Sequence, residues 1–278
     1  MKIAIIGLGL IGGSLCKALK SSGGHQLLGF DTNAATLAKA LSQGAIDGII
    51  APQGLAAADI SFICLHPEAT ILFAVENAKN FRKDSIVCDV CGVKSSIVEA
   101  LDQLLHDEGV IYLGTHPMAG REFSGFDYAV ATLFKGASFI MTPTSLTPLS
   151  AQNTIKALAE QMGFDKIVIT TAEQHDQNIA FTSQLAHLVS NAYVKSPSLR
   201  NEQGFSAGSF QDLTRVAKLN ENLWTSLFMM NRTHLLKELT ILQAHLKDYQ
   251  SALEHEDTEM LHELLARGRR LKEGKDMD

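Results

Sequence analysis

The 278-residue chain has no long apolar run and no side-chain charge of overwhelmingly one sign. Its longest apolar runs are far shorter than the roughly 20 residues that a membrane-spanning helix needs. The apolar run at residues 3–6 meets Gly7 too early to form the core of a signal peptide. The sequence therefore predicts a soluble, cytoplasmic protein with no membrane partner.

The net charge of −6 divides evenly along the chain, since residues 1–145 carry 10 basic and 13 acidic side chains and residues 146–278 carry 14 and 17. Neither half has the basic excess of a nucleic-acid-binding protein, so no nucleic-acid partner is expected. The four cysteines include one C-x-x-C pair, Cys88 and Cys91, without a second pair to complete a zinc site. We therefore expect reduced, buried thiols and no metal.

Glycine and proline are scarce in the second half of the chain. Sixteen of the 21 glycines lie in residues 1–145, and Pro197 is the one proline after Pro148. Glycine and proline mark turns, and domains usually run to roughly 100–200 residues. This distribution predicts a turn-rich α/β domain at residues 1–148 followed by an all-helical domain at residues 149–278.

Short apolar runs alternate with helical patterns in the first half. Strands are predicted at residues 2–6, 25–30, 60–65, 85–88 and 110–115. Helices are predicted at residues 10–19, 34–41, 68–80 and 94–105. Regular alternation of strand and helix requires parallel pairing through crossovers, which predicts a Rossmann-type doubly wound parallel sheet.

The second half contains one long helical seam. Its apolar residues are spaced 4-3-4-3-4, at Leu235, Leu239, Leu242, Leu246, Tyr249 and Leu253. Asp257 is predicted to cap a last helix. The seam fits packing within a helical bundle as well as packing against a second subunit, so its partner stays open at this point.

Residues 7–12 read G-L-G-L-I-G, after a predicted strand and before a predicted helix. This is the context of a dinucleotide-binding fingerprint. Gly7 permits a tight turn, Gly9 lets a pyrophosphate approach the backbone, and Gly12 lets the helix lie close to the strand. Asp31 ends the second strand, where a carboxylate accepts hydrogen bonds from ribose hydroxyls. The residues predicted to bind the cofactor are Gly7, Gly9, Leu10, Ile11, Gly12 and Asp31.

Asp31 also bears on the identity of the dinucleotide. Its negative charge opposes a 2′-phosphate, and no basic residue follows before Lys39. The sequence therefore favours NAD over NADP.

His116 ends a predicted strand and is followed by Pro117 in a loop that contains Gly120 and Gly125. Ligands of open α/β sheets bind beyond the carboxyl ends of the strands. An imidazole with an ordinary pKa of about 6.5 can take a proton from a hydroxyl at neutral pH. We therefore predict His116 as a general base, with Glu122 close enough to orient its ring or to gate the substrate.

Residues 116–125 read H-P-M-A-G-R-E-F-S-G, which resembles the HPMAGxExSG signature of prephenate dehydrogenases and the related arogenate dehydrogenases. Other segments match the family in order: a GLIGGS-type fingerprint at residues 9–14, a D-V-x-x-V-K loop at 89–94, a histidine-bearing helix at 183–187 and a D-x-T-R-x-A segment at 212–217. Trp224 and Asn231 follow as in the family. The resemblance covers residues 7 to about 231.

This resemblance implies an NAD-dependent oxidative decarboxylation of prephenate to 4-hydroxyphenylpyruvate, in tyrosine biosynthesis. His116 would match the family's catalytic histidine, and Arg215 the arginine that binds the dicarboxylate substrate. His187 would match a histidine that contacts the substrate, although the residues alone favour a core histidine there. Arg121, next to Glu122, is a further hypothesis, as a cation for the second carboxylate that would also depress the pKa of His116. Ser124 would contact the substrate.

The sequence departs from the family pattern at two positions. Gly92 stands where many members carry a serine that hydrogen-bonds the substrate hydroxyl and the catalytic histidine, so a water or Ser124 would have to replace it. Gln184 stands where many members have a second histidine, and no role is expected for it. His175 and Asp176 resemble a family pair with a structural part.

Three alternative functions stay open. Arogenate dehydrogenase differs by an amino group on the ligand, which the sequence does not resolve. A β-hydroxyacid dehydrogenase would need a lysine on the first helix of the second domain, and residues 172–194 contain none. A non-catalytic NAD-binding sensor would bind NAD without turnover. The resemblance and the leucine seam together predict a homodimer through the helical domain.

Overall fold

The computed structural model describes residues 1–121 and 123–275. The strands are β1 (Lys2–Ile6), β2 (Gln26–Phe30), β3 (Gly48–Ile49), β4 (Ile60–Ile63), β5 (Ile86–Asp89), β6 (Ile111–Pro117), β7 (Ser138–Thr142) and β8 (Lys166–Ile169). The helices are α1 (Leu10–Ser22), α2 (Ala34–Ser42), α3 (Pro67–Asn77), α4 (Ser95–Asp107), α5 (Leu149–Gln161), α6 (Ala172–Ile179), α7 (Ala186–Tyr193), α8 (Gly208–Thr214), α9 (Glu221–Met230), α10 (Arg232–Glu254) and α11 (Thr258–Lys272).

The strands form one sheet in the order β3-β2-β1-β4-β5-β6-β7-β8. The pairs from β3 to β6 are parallel, which confirms the doubly wound sheet. The central strands are rich in apolar residues and are buried, since helices cover both faces of a parallel sheet. For example, all four residues of β4 and of β5 are buried. The carboxyl ends of β1, β4, β5 and β6 therefore meet at one edge of the sheet.

The predicted strands appear as β1, β2, β4, β5 and β6, with ends within two residues of the prediction. The sequence patterns missed β3, which has two residues, and also β7 and β8. Moreover, β7 runs antiparallel to β6, with His116 opposite Ile140, whereas the strands predicted from the sequence all pair in parallel. The described part of the connection between them contains a 3₁₀ turn (Phe126–Tyr128) but no crossover helix, so the chain returns in the opposite direction.

The helix ends follow local side-chain chemistry. The Asn33 side chain accepts hydrogen bonds from two backbone amides at the start of α2. The predicted cap at Asp257 is confirmed, because its side chain accepts a hydrogen bond from the Met260 amide at the start of α11. Gly23 ends α1 with φ of +75°, a conformation that glycine adopts without strain.

The sheet continues beyond residue 148, where the boundary between two domains is predicted. α5 packs on α1, and β8 pairs with β7, so both belong to the sheet layer. The helical region begins at α6, which continues through a π-helical turn (Ala180–Leu185) into α7. The predicted domain division at 148 and 149 stays a prediction.

The chain separates into two compact units, one covering Met1–Asn231 and the other beginning at Arg232. The second unit is a hairpin of α10 and α11, in which the Tyr249 hydroxyl lies 3.4 Å from the Leu264 carbonyl oxygen. All six seam residues lie on α10, as predicted, but Leu246 and Leu253 keep 58% and 64% of their surface exposed. Among the described helices, none combines the length and the hydropathy of a membrane-spanning segment.

Candidate active site

The turn between β1 and α1 has the geometry of a dinucleotide-binding loop. Gly7 has φ of +89°, and an added Cβ there would lie 2.6 Å from the Cys64 carbonyl oxygen. A Cβ at Gly12 would lie 1.9 Å from the Gly7 oxygen, whereas a Cβ at Gly9 would contact nothing within 4 Å. Gly7 and Gly12 are therefore required by the fold, and Gly9 leaves open space over the start of α1. The first amides of that helix have no side-chain cap, so they can bind a pyrophosphate.

Asp31 lies beside this turn at the end of β2. Its two carboxylate oxygens accept hydrogen bonds from the backbone amides of Leu8 and Asn33, each at 2.8 Å. A carboxylate has about four acceptor positions, so two remain for ribose hydroxyls. Asp31 and Gly7 line a cavity of about 520 Å³ whose other walls include Phe30 and Phe73. The cavity lies beside Asp31, where the sequence predicts binding of the adenosine ribose.

A second cavity, of about 530 Å³, lies beyond the carboxyl ends of β5 and β6. The residues that line it are Gly92, His116, Pro117, Met118, Ala119, Gly120, Arg121, Ile179, Ser183, Gln184, His187, Arg215, Val216, Lys218, Leu219, Leu223, Trp224 and Leu227. We call it the substrate cavity. Residues of the loop after β6 and of the helical region line it together. Four side chains predicted from the sequence are among them: His116, Arg121, His187 and Arg215.

His116 is partly buried at the end of β6, and its Nδ1 lies 2.8 Å from Nε2 of His175. Burial, with His175 and the Lys94 cation, holds the pKa of His116 well below its ordinary value. The imidazole is therefore neutral at neutral pH. A neutral imidazole whose Nδ1 is engaged presents Nε2 as its free nitrogen.

His175 and Asp176 stand behind His116 at the start of α6. His175 Nδ1 lies 2.7 Å from Asp176 Oδ1, and both residues are buried. The two carboxylate oxygens of Asp176 also accept hydrogen bonds from the backbone amides of Lys94 and Ser95, at 2.8 and 2.7 Å. Burial raises the pKa of Asp176, but the hydrogen bonds from His175 and Ser95 outweigh it and leave the pKa below its ordinary value. Asp176 is an anion at neutral pH.

A fully buried ion pair joins Lys94, at the start of α4, to Asp89, at the end of β5. The Tyr112 hydroxyl donates to the second oxygen of Asp89 at 2.7 Å. A buried carboxylate is tolerated when a cation and further hydrogen bonds satisfy it. The D-V-x-x-V-K segment thus holds the start of α4 in place, and the amides of that helix in turn bind Asp176.

His187 lies in the substrate cavity, half-buried rather than in the core. Its ring stacks on Trp224 with centroids 4.1 Å apart, and its Nδ1 lies 2.8 Å from the Ser183 carbonyl oxygen. A carbonyl only accepts, so Nδ1 carries the proton and Nε2 is an acceptor. Burial lowers the pKa of His187, and the nearby Arg215 lowers it further against the opposing effect of Ser183. Arg215 follows α8 and lines the same cavity.

The other predicted site residues have different placements. Arg121 is exposed and lines the substrate cavity. Ser124 is exposed and is not among the described residues that line it. Glu122 lies outside the described residues. The substrate contacts expected of these three side chains stay predictions.

The sequence patterns missed three contributors to the site. Gln184, for which no role was expected, is buried and accepts a hydrogen bond from Asn231 at 2.8 Å, while its amide donates to the Leu227 carbonyl at 3.2 Å. Lys218 lines the substrate cavity and adds a third cation to Arg121 and Arg215. His175 touches His116 directly. No local signal in the sequence marks Gln184 or Lys218. The His175-Asp176 pair was visible in the sequence, but the contact of His175 with His116 was not.

Gly92 forms part of the wall next to His116. A Cβ at this position would lie 3.8 Å from His116 Nε2 and 3.6 Å from a methyl group of Leu227, which are ordinary contact distances. The backbone therefore leaves room for a small side chain beside the nitrogen that faces the cavity.

The loop after β6 is held at both ends. At its start the Met118 amide donates to the Ser138 carbonyl at 2.8 Å. At its end, Phe126 packs on Gly13, where an added Cβ would lie 2.7 Å from the ring, and the Val130 amide donates to Ser14 Oγ at 3.1 Å. Gly13 and Ser14 therefore dock the end of the loop on α1.

The chain matches two family models in succession. Residues 15–168 match the nucleotide-binding domain of prephenate dehydrogenase, and residues 171–267 match its dimerization domain. The chain belongs to the prephenate dehydrogenase family. The family models confirm the resemblance found at the sequence motifs, and the first ends at the last strand of the sheet.

Relatives in this family align with nearly the whole chain. A cyclohexadienyl dehydrogenase from Zymomonas mobilis is 33% identical, and the match covers 94% of this chain and 91% of that protein. A solved prephenate dehydrogenase from Aquifex aeolicus, in complex with hydroxyphenyl propionate and NAD+, is 27% identical with a TM-score of 0.88, covering 99% and 98% of the two chains. A solved arogenate dehydrogenase from Synechocystis is 31% identical with a TM-score of 0.84, covering 98% and 99%.

Proposed function

We propose that this protein catalyses the NAD-dependent oxidative decarboxylation of prephenate to 4-hydroxyphenylpyruvate. The observation that carries the proposal is the placement of His116. It is a neutral imidazole with a free Nε2 on the wall of a cavity that also contains Arg215. A solved relative of nearly identical fold is described in complex with NAD+ and a hydroxyphenyl compound, which supports the same ligand classes here.

Bound NAD+ supplies the hydride acceptor for the ring carbon that carries the hydroxyl group. His116 Nε2 accepts the proton of that hydroxyl as the carbon is oxidised. Carbon dioxide leaves the ring as it becomes aromatic, so the protein needs no residue to generate a separate driving force. Its main tasks are to align the ring, to hold the hydroxyl proton while the carbon is oxidised, and to return that proton to the phenolate oxygen of the product.

The substrate cavity suits a dianion. Arg121, Arg215 and Lys218 line it, and the described lining residues include no carboxylate. A planar guanidinium binds a carboxylate through two parallel hydrogen bonds, which makes Arg215 the residue we propose for one substrate carboxylate. The neutral His187 Nε2, an acceptor, would bind a hydroxyl or a bridging water.

Arogenate is the second candidate substrate, because one solved relative of 31% identity is an arogenate dehydrogenase. Arogenate keeps both carboxylates and adds an ammonium group, so its net negative charge is smaller than that of prephenate. The three cations of the described wall favour the dianionic prephenate over this ligand. Because these cations act on substrate binding, we expect the two substrates to differ mainly in KM.

One experiment tests the proposal. Purified protein is incubated with NAD+ and either prephenate or arogenate, and NADH absorbance is followed for wild type and His116→Asn. We expect turnover of prephenate with the higher kcat/KM, and a fall in kcat of about 10²- to 10⁴-fold in the variant, which is the usual contribution of a general base. Circular dichroism and NAD binding verify that the variant folds.

Absence of NADH from both substrates in folded wild-type protein contradicts the proposed function. NAD binding without turnover would identify a sensor instead. Equal rates for wild type and His116→Asn would reject His116 as the base while leaving the enzyme function intact.

We also infer that the protein forms a homodimer through its helical region. The match of residues 171–267 to a dimerization domain supports this, as do the exposed leucines of α10. Burying such leucines contributes roughly 25 cal/mol per Å² of apolar surface. Sedimentation velocity at low concentration should show a dimer, and a Leu246→Glu/Leu253→Glu variant should shift it toward monomer. A monomeric wild type contradicts the inference.

A further inference from the structure

We propose that His175 and Asp176 act as a proton relay behind His116, setting its tautomer and receiving its positive charge during turnover. Both are positioning residues, because they reach the substrate only through His116. The proposal rests on the proposed function for its kinetic consequences, but the tautomers that it requires exist in the free protein.

Asp176 determines the direction of the relay. Its carboxylate accepts hydrogen bonds from two backbone amides at the start of α4, those of Lys94 and Ser95. Amides donate only, so the carboxylate is an acceptor at both oxygens, and the positive end of the helix dipole stabilises its charge. The atom that faces it at 2.7 Å, His175 Nδ1, must therefore carry a proton.

The tautomer of His116 follows from that of His175. A neutral His175 protonated on Nδ1 has a lone pair on Nε2, and this atom lies 2.8 Å from His116 Nδ1. His116 Nδ1 therefore carries a proton and donates it to this hydrogen bond. Its Nε2 is then unprotonated on the side of the substrate cavity, where the position of a Cβ on Gly92 is 3.8 Å away. The buried Asp176 carboxylate thus leaves His116 Nε2 unprotonated by acting through His175.

The same chain of hydrogen bonds moves charge during the reaction. As His116 Nε2 forms a bond to the proton from the substrate hydroxyl, the proton on His116 Nδ1 passes to His175 Nε2. His116 is left neutral with its proton on Nε2, and His175 becomes a cation in contact with the Asp176 carboxylate. While the ring carbon is oxidised, the relay holds this one extra proton, so the positive charge rests beside an anion rather than at the wall of the substrate cavity. When loss of carbon dioxide makes the ring aromatic, the proton returns from the relay through His116 Nε2 to the phenolate oxygen of the product.

Other titratable groups lie near the relay or line the cavity that His116 faces. They are Asp89 and Lys94 at the end of β5 and the start of α4, Tyr112 on β6, Arg121 in the loop after β6, His187 on α7, and Arg215 and Lys218 after α8. Lys94 is neutralised by Asp89, yet it lowers the pKa of both histidines, and Asp176 opposes it. Asp176 is the group whose removal should change the titration of the pair most.

The first test measures tautomers by NMR in wild-type protein labelled with ¹⁵N-histidine, with His116→Asn and His175→Gln for resonance assignment. We expect both His116 and His175 to be protonated on Nδ1 and not on Nε2 at neutral pH. In Asp176→Asn, we expect mixed tautomers at His116. A His116 ring protonated on Nε2 in the free wild type overturns the proposal whether or not the protein turns over prephenate.

The second test compares pH profiles of kcat and kcat/KM for wild type, His175→Gln and Asp176→Asn. A glutamine can accept the hydrogen bond from His116 but cannot take up its proton. We expect kcat to fall about 10- to 100-fold in His175→Gln with KM for prephenate changed less than threefold. In Asp176→Asn the anion is lost, so the apparent pKa of the coupled pair should fall, and the acidic limb of kcat/KM should move to lower pH.

The exposed His106 on α4 provides a matched control, since His106→Gln is the same substitution remote from the cavity. It should leave the pH profile unchanged. A purely structural pair would lower thermal stability in both variants but leave kcat and the acidic limb where they are in wild type, and that result would reject the relay. Absence of turnover in wild type would instead contradict the proposed function, with the NMR result still deciding the tautomers.

Discussion

The dinucleotide turn and the proton-accepting site lie at the same edge of the sheet but are constructed differently. The turn is contiguous, running from Gly7 to Gly12 within one strand–helix unit. The proton acceptor combines β6, α6 and the start of α4, which are distant in sequence, through hydrogen bonds to His116 and Asp176. Steric fit of the backbone therefore defines the dinucleotide turn, and side-chain contacts between distant segments define the site around His116. Substitutions should affect the two regions in different ways.

The largest effect is expected at Gly12. A Cβ there would lie 1.9 Å from the Gly7 carbonyl oxygen, a backbone atom that cannot move without opening the turn. Gly12→Ala should destabilise the protein by more than about 3 kcal/mol and abolish NAD binding, as overpacking against backbone does. Thermal unfolding and fluorescence titration with NAD+ measure both.

Gly9→Ala is the matched control for Gly12→Ala. Its Cβ meets nothing within 4 Å, so the melting temperature should change little while NAD binding weakens. Equal loss of stability in the two variants would show that steric fit does not separate these glycines.

The next largest effect is expected at Arg215 in the substrate cavity. Arg215→Ala should raise KM for prephenate about 10- to 100-fold, because a hydrogen bond between charged groups contributes roughly 1.5–3 kcal/mol. The Kd for NAD+ should change little, since the cofactor turn is a separate region. Steady-state kinetics at saturating NAD+ give KM, and an unchanged KM would remove Arg215 from the carboxylate site.

A smaller effect is expected at Gly13, where the two regions meet. A Cβ there would lie 2.7 Å from the Phe126 ring and 2.8 Å from Ala129 Cβ, so the end of the loop after β6 must shift. Gly13→Ala should lower kcat/KM for prephenate about tenfold with little change in Kd for NAD+, because the loop rather than the turn is displaced. Weaker NAD binding with normal kcat/KM for prephenate would place Gly13 with the cofactor instead.

The smallest effect is expected at Gly92. Its Cβ position is in ordinary contact with its neighbours, so Gly92→Ser should fold normally and place a hydroxyl near His116 Nε2. One added hydrogen bond is worth about 0.5–1.5 kcal/mol, so kcat/KM for prephenate should rise about two- to tenfold. Gly92→Ala, which adds the Cβ alone, should match wild type, and a similar rise in both variants would attribute the gain to packing.

Much of the sheet and of the dinucleotide turn follows from local sequence patterns. Buried parallel strands are rich in apolar residues, and the closest contact of a Cβ at Gly12 is with Gly7 in the same turn, so β1, α1 and the role of Gly12 were predictable. β7 was not, because its direction depends on whether the preceding connection forms a helix. The short strand β3 and the later strand β8 lack a distinctive pattern of their own.

The sequence predicted several residues of the candidate site, but neither all of them nor their arrangement. A histidine at a strand end with a following proline marked His116, and family motifs marked Arg215 and His187. The expectation for Gln184 was incomplete, because its hydrogen bonds to Asn231 and Leu227 join segments more than 40 residues apart. Spacing along one helix cannot reveal such partners.

The sequence alone determined the doubly wound sheet and the family, and it predicted the dinucleotide turn and His116 as the general base. Each of these rests on a repeated local pattern or on a contiguous motif. The tertiary structure decided which groups stand behind His116 and which cations share its cavity. Those contacts require α4, α6 and β6 to pack together, and the tautomer of a histidine depends on the atoms it touches rather than on its neighbours in sequence.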